Sequence, residues 1–338
     1  MPRYARADAR TWIRQNLHGY ITVLYTPFLP DGRIDEDGLR HNTELTLRHP
    51  GVGGLAVNSL HQEFWTMTVA ERKRVADVVL DTVAGRKPVV VGCSDPAVAN
   101  VVDFARHAQH AGADAVMVWP PYYGVRTADG VRTFYEQVAE RIDIGMFCYS
   151  TTLAELGFYL TPEMAARLLH IEHLAAVMST TLNMSSYAAM MERVGDRVSV
   201  TTSLEEYHLF GRLAFPDRAP DFMFGSSRPL FVQSQAQPHC ADFLAALDAG
   251  DFAAAATAVR RIVAIADKLQ SRYFAQGFHN VGLAKELTTL FGLKGGGVRP
   301  PLSPPAPAEL QECVAILAEA GLLSDRSPVP STLLEDPP

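Results

Sequence analysis

Leu174-Ala175-Ala176-Val177-Met178-Ser179-Thr180-Thr181 reads as a short buried strand that ends on small hydroxylated residues. It is the sixth of eight such runs. The others span residues 20–25, 54–58, 88–92, 115–119, 144–149, 198–202 and 221–225. Amphipathic segments at 37–48, 69–83, 98–110, 130–141, 162–169 and 184–194 lie between them. Short apolar runs alternating with 3.6-residue periodicity predict an α/β fold, a (β/α)8 TIM barrel. Helix starts agree with this reading. Thr161-Pro162-Glu163 offers an N-cap followed by Pro at N1, and Thr68 with Glu71 has capping-box spacing.

The rhythm changes after the eighth strand. Runs at 240–249, 251–273, 281–291 and 306–320 read as consecutive helices with Gly-rich and Pro-rich breaks. The expected organisation is a helical lead-in at 1–17, the barrel at 18–236, a C-terminal helical extension of the same unit at 237–323, and a mobile tail at 324–338.

Composition narrows the function classes. The 338 residues are 48% hydrophobic and 20% charged, with net charge −7, as in a globular chain. No basic cluster is interleaved with aromatics, so nucleic acid is not an expected partner. No apolar run is long enough to span a bilayer, and residues 1–15 contain no apolar secretory core. The four cysteines show no C-x-x-C spacing, which fits a reducing, cytoplasmic compartment.

Four stretches carry a family resemblance. They are Thr22-Val23-Leu24-Tyr25-Thr26-Pro27-Phe28 with Asp31-Gly32 and Ile34-Asp35; residues 54–72, including Met67-Thr68-Val69-Ala70-Glu71-Arg72; Pro121-Tyr122-Tyr123; and Ala284-Lys285 with Gly292-Leu293-Lys294-Gly295-Gly296-Gly297-Val298-Arg299-Pro300-Pro301-Leu302. In this order, over residues 18–305, the chain resembles the dihydrodipicolinate synthase / N-acetylneuraminate lyase family, the class I pyruvate aldolases on a TIM barrel. The resemblance implies a homodimer or homotetramer, with Tyr122 and Tyr123 near the tight interface.

The chain departs from the family in its catalytic parts. Where the resemblance places the Schiff-base lysine stands Met178. The Gly-Thr-Thr-Gly-Glu loop that holds the keto-acid carboxylate aligns with Ser59-Leu60-His61-Gln62-Glu63, keeping only the glutamate. The arginine expected after the strand-five tyrosine has no counterpart in Ser150-Thr151-Thr152-Leu153-Ala154-Glu155. Tyr149 and Tyr123 stand where the resemblance puts the proton-relay tyrosines. The five lysines, Lys73, Lys87, Lys268, Lys285 and Lys294, fall outside the strand ends where barrel chemistry sits.

The catalytic expectation is therefore Tyr149, Tyr123 and His61. Phenols and an imidazole can move protons without a covalent step, and His61 could serve as a general base. Ser59, Met178, Thr180, Thr202 and Ser226 are expected to line the substrate site. With Leu60, Trp65 and Trp119 nearby, that site should be more apolar than usual and suit a substrate bulkier than pyruvate. His61, Glu63, Glu205, Glu206 and His208 lie near strand ends without HxH or HxxxH spacing, so neither a metal nor a cofactor is expected. Two functions follow: lyase-type chemistry on a small carbonyl compound without a lysine Schiff base, or a catalytically silent relative acting as a ligand-binding or partner protein.

Overall fold

The computed structural model describes residues 2–152, 158–271 and 279–323. Eight parallel strands form one sheet: β1 (Gly19–Val23), β2 (Val52–Val57), β3 (Val89–Gly92), β4 (Ala115–Val118), β5 (Gly145–Thr151), β6 (Leu174–Thr180), β7 (Ser199–Thr201) and β8 (Phe222–Phe224). Each is hydrogen-bonded to its neighbour in sequence from β1 to β7, and β8 returns to β1 through Gly19–Phe222, Tyr20–Met223 and Ile21–Phe224. The Phe224 N–H also donates to the Thr202 carbonyl, at 3.0 Å, which brings β8 towards the end of β7. The strands thus make a nearly closed (β/α)8 barrel, as the sequence rhythm predicts. All eight predicted strands are present, with ends that differ by up to two residues.

The chain divides into two compact units. The first holds the barrel strands together with α1 (Ala9–Asn16), α4 (Val98–Ala111), α5 (Ala128–Ala139), α6 (Pro162–Ala166), α7 (Met184–Val194) and α8 (Glu205–Ala214). The second holds α2 (Glu36–Leu47), α3 (Val69–Val83), α9 (His239–Asp248), α10 (Phe252–Ala266), α11 (Val281–Thr289) and α12 (Pro307–Glu319). Helix α6 ends at Ala166, short of the expected residue 169, and α8 is an element that the sequence reading did not single out. The expected helix at 251–273 breaks into α10 and a π-helical turn, Asp267–Ser271. Its last two residues, like the expected tail at 324–338, lie outside the described residues.

Local chemistry explains the start of several helices. Asp35, Thr127, Thr161, Asn183, Asp251 and Asn280 each accept a hydrogen bond from a first-turn N–H, satisfying donors that a helix start leaves orphaned. Thr68 and Glu71 exchange bonds as the capping box predicts: the Thr68 N–H donates to the Glu71 carboxylate at 2.8 Å, and the Glu71 N–H donates to the Thr68 hydroxyl at 3.2 Å.

The first unit is anchored at the start of its strands. From α1, the Arg10 guanidinium donates to the carbonyls of Leu169, Ile171 and Leu174 at 2.7–2.9 Å. Arg3 forks onto Asp114, whose carboxylate also accepts from the Val89 N–H. Inside the barrel the Phe147 ring meets those of Phe222 and Phe224 at 6.3 and 5.3 Å between centroids. Strands β5 and β8 are not neighbours in the sheet, so these rings meet across the interior. Side chains alternate along a strand, and Tyr149, two residues beyond Phe147, therefore also faces inward, nearer the C-terminal mouth.

Candidate active site

Parallel strands bring all their C-terminal ends to one face, where TIM-barrel chemistry is located. In the first unit that face gathers Tyr149, Met178, Thr180, Thr202 and Ser226 of the expected residues. Met178 sits in register with Tyr149 of β5 on one side and Thr201 of β7 on the other. It is 8% exposed, and Tyr149 is 2% exposed.

The Met178 thioether is seated against Gly225, just past β8. A Cβ placed on Gly225 would lie 2.6 Å from the Met178 methyl, and Gly225 has φ +83, in the region that favours glycine. The glycine therefore makes room for the methionine, a fit the sequence reading missed. Its signal was the Phe224-Gly225-Ser226 stop after the eighth strand. Trp119, buried beyond the end of β4, has its ring 5.3 Å from that of Tyr149 at a 35° tilt, and its backbone N–H donates to the Ser94 hydroxyl at 3.0 Å. A thioether, an indole and a phenol thus form an apolar group carrying one polar hydroxyl.

Hydroxyls border this group. Thr180 Oγ1 lies 3.3 Å from Ser203 Oγ, and Thr202 Oγ1 accepts from the Leu204 N–H. The Ser226 carbonyl accepts a 2.6 Å bond from the Thr22 hydroxyl, so the backbone at Ser226 is pinned to β1. Beside Met178, the Ser179 hydroxyl is buried with no hydrogen-bond partner among the described residues. Tyr123 stands apart: it is 83% exposed, on the segment after β4.

His61 and Ser59 belong to the second unit, in the short turn after β2. The Gln62 N–H closes this turn onto the Ser59 carbonyl at 3.0 Å, and the Ser59 hydroxyl oxygen is buried without a partner among the described residues. His61 is 8% exposed. Its ring packs edge to face on His279, with centroids 4.1 Å apart, and its Nδ1 lies 3.5 Å from the Tyr25 hydroxyl. Neither Tyr25 nor His279 was expected in the site from sequence, and nothing in the pattern joins them to His61. Burial lowers the His279 pKa to about 4, leaving a neutral ring.

Glu63 secures this turn. Its carboxylate pairs with the Lys285 ammonium at 2.8 Å, both side chains 1% exposed, and accepts from the Arg299 N–H at 3.1 Å. Burial lowers the Lys285 pKa, opposed by Glu63. Lys285 and Arg299 both lie over the Phe28 ring, and Arg299 also pairs with Glu71 at 2.7 Å. Lys285, the buried lysine of this group, is thus committed to a carboxylate. Among the described residues no three His, Cys, Asp or Glu side chains converge as a metal site would require, and no helix is long and apolar enough to cross a membrane.

Comparison with known proteins agrees with this architecture. The dihydrodipicolinate synthetase family profile matches residues 16–320. A 4-hydroxy-tetrahydrodipicolinate synthase of Methylobacterium radiotolerans is 30% identical over 310 residues, covering 91% of this chain and 97% of that one. A protein of the same name from Methanothrix thermoacetophila is 31% identical over 179 residues; that match takes in 53% of this chain and spans 59% of the relative's length. Among solved structures, dihydrodipicolinate synthase from Aquifex aeolicus superposes with a TM-score of 0.79 at 21% identity, covering 92% of this chain and 100% of that one. YagE, a prophage protein of the dihydrodipicolinic acid synthase family from E. coli K12 in complex with pyruvate, gives 0.78 at 24% identity, covering 90% and 99%. At these identities the two structures bear on the fold alone.

Proposed function

This chain belongs to the dihydrodipicolinate synthetase family, and from that premise we propose that it carries out lyase-type chemistry on a small carbonyl compound without forming an imine to the protein. The observation that carries the reading is the seating of Met178. A thioether has no N–H to condense with a carbonyl, and the pocket beside it is fitted to its methyl group by Gly225. A reaction of the aldol, dehydration or cyclisation type would then proceed through an enol or enolate of the free substrate. Such a path needs a proton carrier at the α-carbon and donors at the carbonyl oxygen.

Tyr149 fills the first role in this proposal. It is the buried phenol in register with Met178, and a phenolic hydroxyl can both donate and accept a proton, as a relay requires. Thr180, Thr202 and Ser226 are assigned to hold the polar groups of the substrate. Met178 and Trp119 give the mouth an apolar lining that suits a substrate with more carbon than pyruvate. Tyr123 would contribute from an assembled form: with Val125 it leaves an exposed apolar strip, and we assign that strip to contact between copies of the chain in a homodimer or homotetramer.

The test is deuterium exchange at the α-carbon of a panel of 2-keto acids and longer carbonyl compounds, followed by proton NMR. The full-length chain should exchange at least one panel member, and Y149F should lose that exchange by about 10²–10⁴-fold while keeping its fold. Binding without exchange across the panel, seen as a ligand-induced rise in Tm, would instead assign the chain to the silent, ligand-binding role.

A further inference from the structure

Within the second unit, α9, α10 and the residue that ends α12 border a groove that the chemistry above does not use. It holds about 560 Å³, within the range of small-ligand sites, and its walls include Gln237, His239, Asp242, Arg261, Ala264 and Ile265. Its edge at Gln237 is fixed, because the side-chain amide donates to the Gly321 carbonyl, just beyond α12, at 3.0 Å.

The polar groups of this groove are not spent on one another. His239 is 7% exposed, and its ring has no hydrogen-bond partner among the described residues. Burial takes water from an imidazole, and a buried polar side chain normally recovers the loss in a bond. Arg261, exposed on α10, makes no ion pair among the described residues, and neither does Asp242 of α9. These two are the charges that act on His239. Burial lowers the His239 pKa most, the Arg261 charge lowers it next, and Asp242 raises it less. The potential at the imidazole is therefore net positive. Lys268 and Glu319 offset each other at 3.4 Å.

The first turn of α9 has few backbone donors to spare. The Cys240 N–H donates to Gln233 Oε1 at 3.2 Å, and the Asp242 N–H donates to the Pro238 carbonyl at 2.8 Å. The donors left to a ligand are thus the guanidinium and the imidazole. Two such side chains beside an apolar wall suit the two oxygens of a carboxylate. A phosphate presents more acceptor oxygens than they can serve.

We propose that this groove is a binding site for a small monocarboxylate with an apolar body, held by Arg261 and by His239, which takes up a proton as the anion arrives. An anion beside an imidazole favours the charged ring, and the carboxylate then accepts charge-assisted bonds from both side chains. Ala264 and Ile265 supply the surface for the carbon part. In the complex, Arg261 and protonated His239 are balanced by Asp242 and the ligand. The site shares no residue with the barrel mouth, and the proposal is independent of the reaction assigned there.

The experiment is calorimetric titration of the full chain with sodium benzoate at about pH 7, in two buffers of different ionisation enthalpy. The expected result is saturable binding whose heat differs between the buffers in the direction of proton uptake. R261Q should weaken binding about tenfold or more. H239Q should bind more weakly and with the same heat in both buffers, and inorganic phosphate should bind the parent chain more weakly than benzoate does. Neither side chain bonds to the rest of the described chain, so both variants should fold, which circular dichroism checks. Four results would each overturn the proposal: no saturable benzoate binding, affinity unchanged in R261Q, parent heats independent of buffer or H239Q heats still dependent on it, and phosphate bound more tightly than benzoate.

Discussion

Breaking the Glu63–Lys285 pair should unfold the second unit's buried network more sharply than any surface charge change. The two side chains meet at 2.8 Å with 1% of each exposed, so removing one leaves the other charged in a dry site. K285M leaves the Glu63 carboxylate with the Arg299 N–H as its remaining donor among the described residues. It also deletes the ammonium over the Phe28 ring, 4.5 Å from its centroid. Loss of one partner of a buried pair costs about 3–5 kcal/mol. E63Q keeps the shape but leaves the ammonium facing a neutral amide, and it should fall in the same range. The double variant E63L/K285M removes both charges and replaces them with apolar volume. Its loss should be well under the sum of the singles, about 1–2 kcal/mol for the unsatisfied Arg299 N–H and imperfect packing. Urea unfolding of the parent, both singles and the double gives the coupling energy directly. Single losses below about 1 kcal/mol, or additivity across the cycle, would show that the pair is not the clamp described. Lys285 would then regain standing as a free buried amine.

Further outcomes follow from the barrel mouth and the Arg299 cluster. G225A puts a Cβ 2.6 Å from the Met178 methyl at a residue with φ +83, and should destabilise by about 1–3 kcal/mol; thermal melts should show M178A relieving the packing part and leaving the backbone part. M178K buries an ammonium in an apolar site, which lowers that amine's pKa. Its stability deficit against the parent should therefore shrink as pH rises through the folded value towards the unfolded one near 10.4, measured by urea midpoints at several pH values. Glu71 is held down to about 2, chiefly by its hydrogen bond to Arg299. Its contribution is present above about pH 4.5 and is lost as pH falls towards 2, so E71Q should flatten that part of the acid-unfolding curve.

Much of the barrel was legible because it rests on local periodicity. Runs such as Val89-Val90-Val91 and Ala115-Val116-Met117 are apolar throughout because both faces of a parallel strand are buried, and caps such as Thr161-Pro162 mark helix starts without tertiary context. Helix α8 was harder: Glu205, Tyr207 and His208 are buried, so its polar residues did not trace a solvent face. The π-helical turn after α10 has no one-dimensional signal. In the site, Met178 and Tyr149 were found because the family resemblance assigns roles to those strand-end positions. The Gly225 fit, the Lys285–Glu63 pair and the Tyr25–His61–His279 group were not, because their partners lie 36 to 222 residues apart and meet by packing alone.

The question that decides the account is whether any side chain of the native protein captures a carbonyl carbon. Incubating the full chain with each panel compound that it exchanges, reducing with borohydride and weighing the intact protein answers it in one spectrum. The account predicts unchanged mass at a substrate concentration that saturates exchange. A mass gain of one reduced substrate, mapped to Lys285 or any other amine, would contradict it.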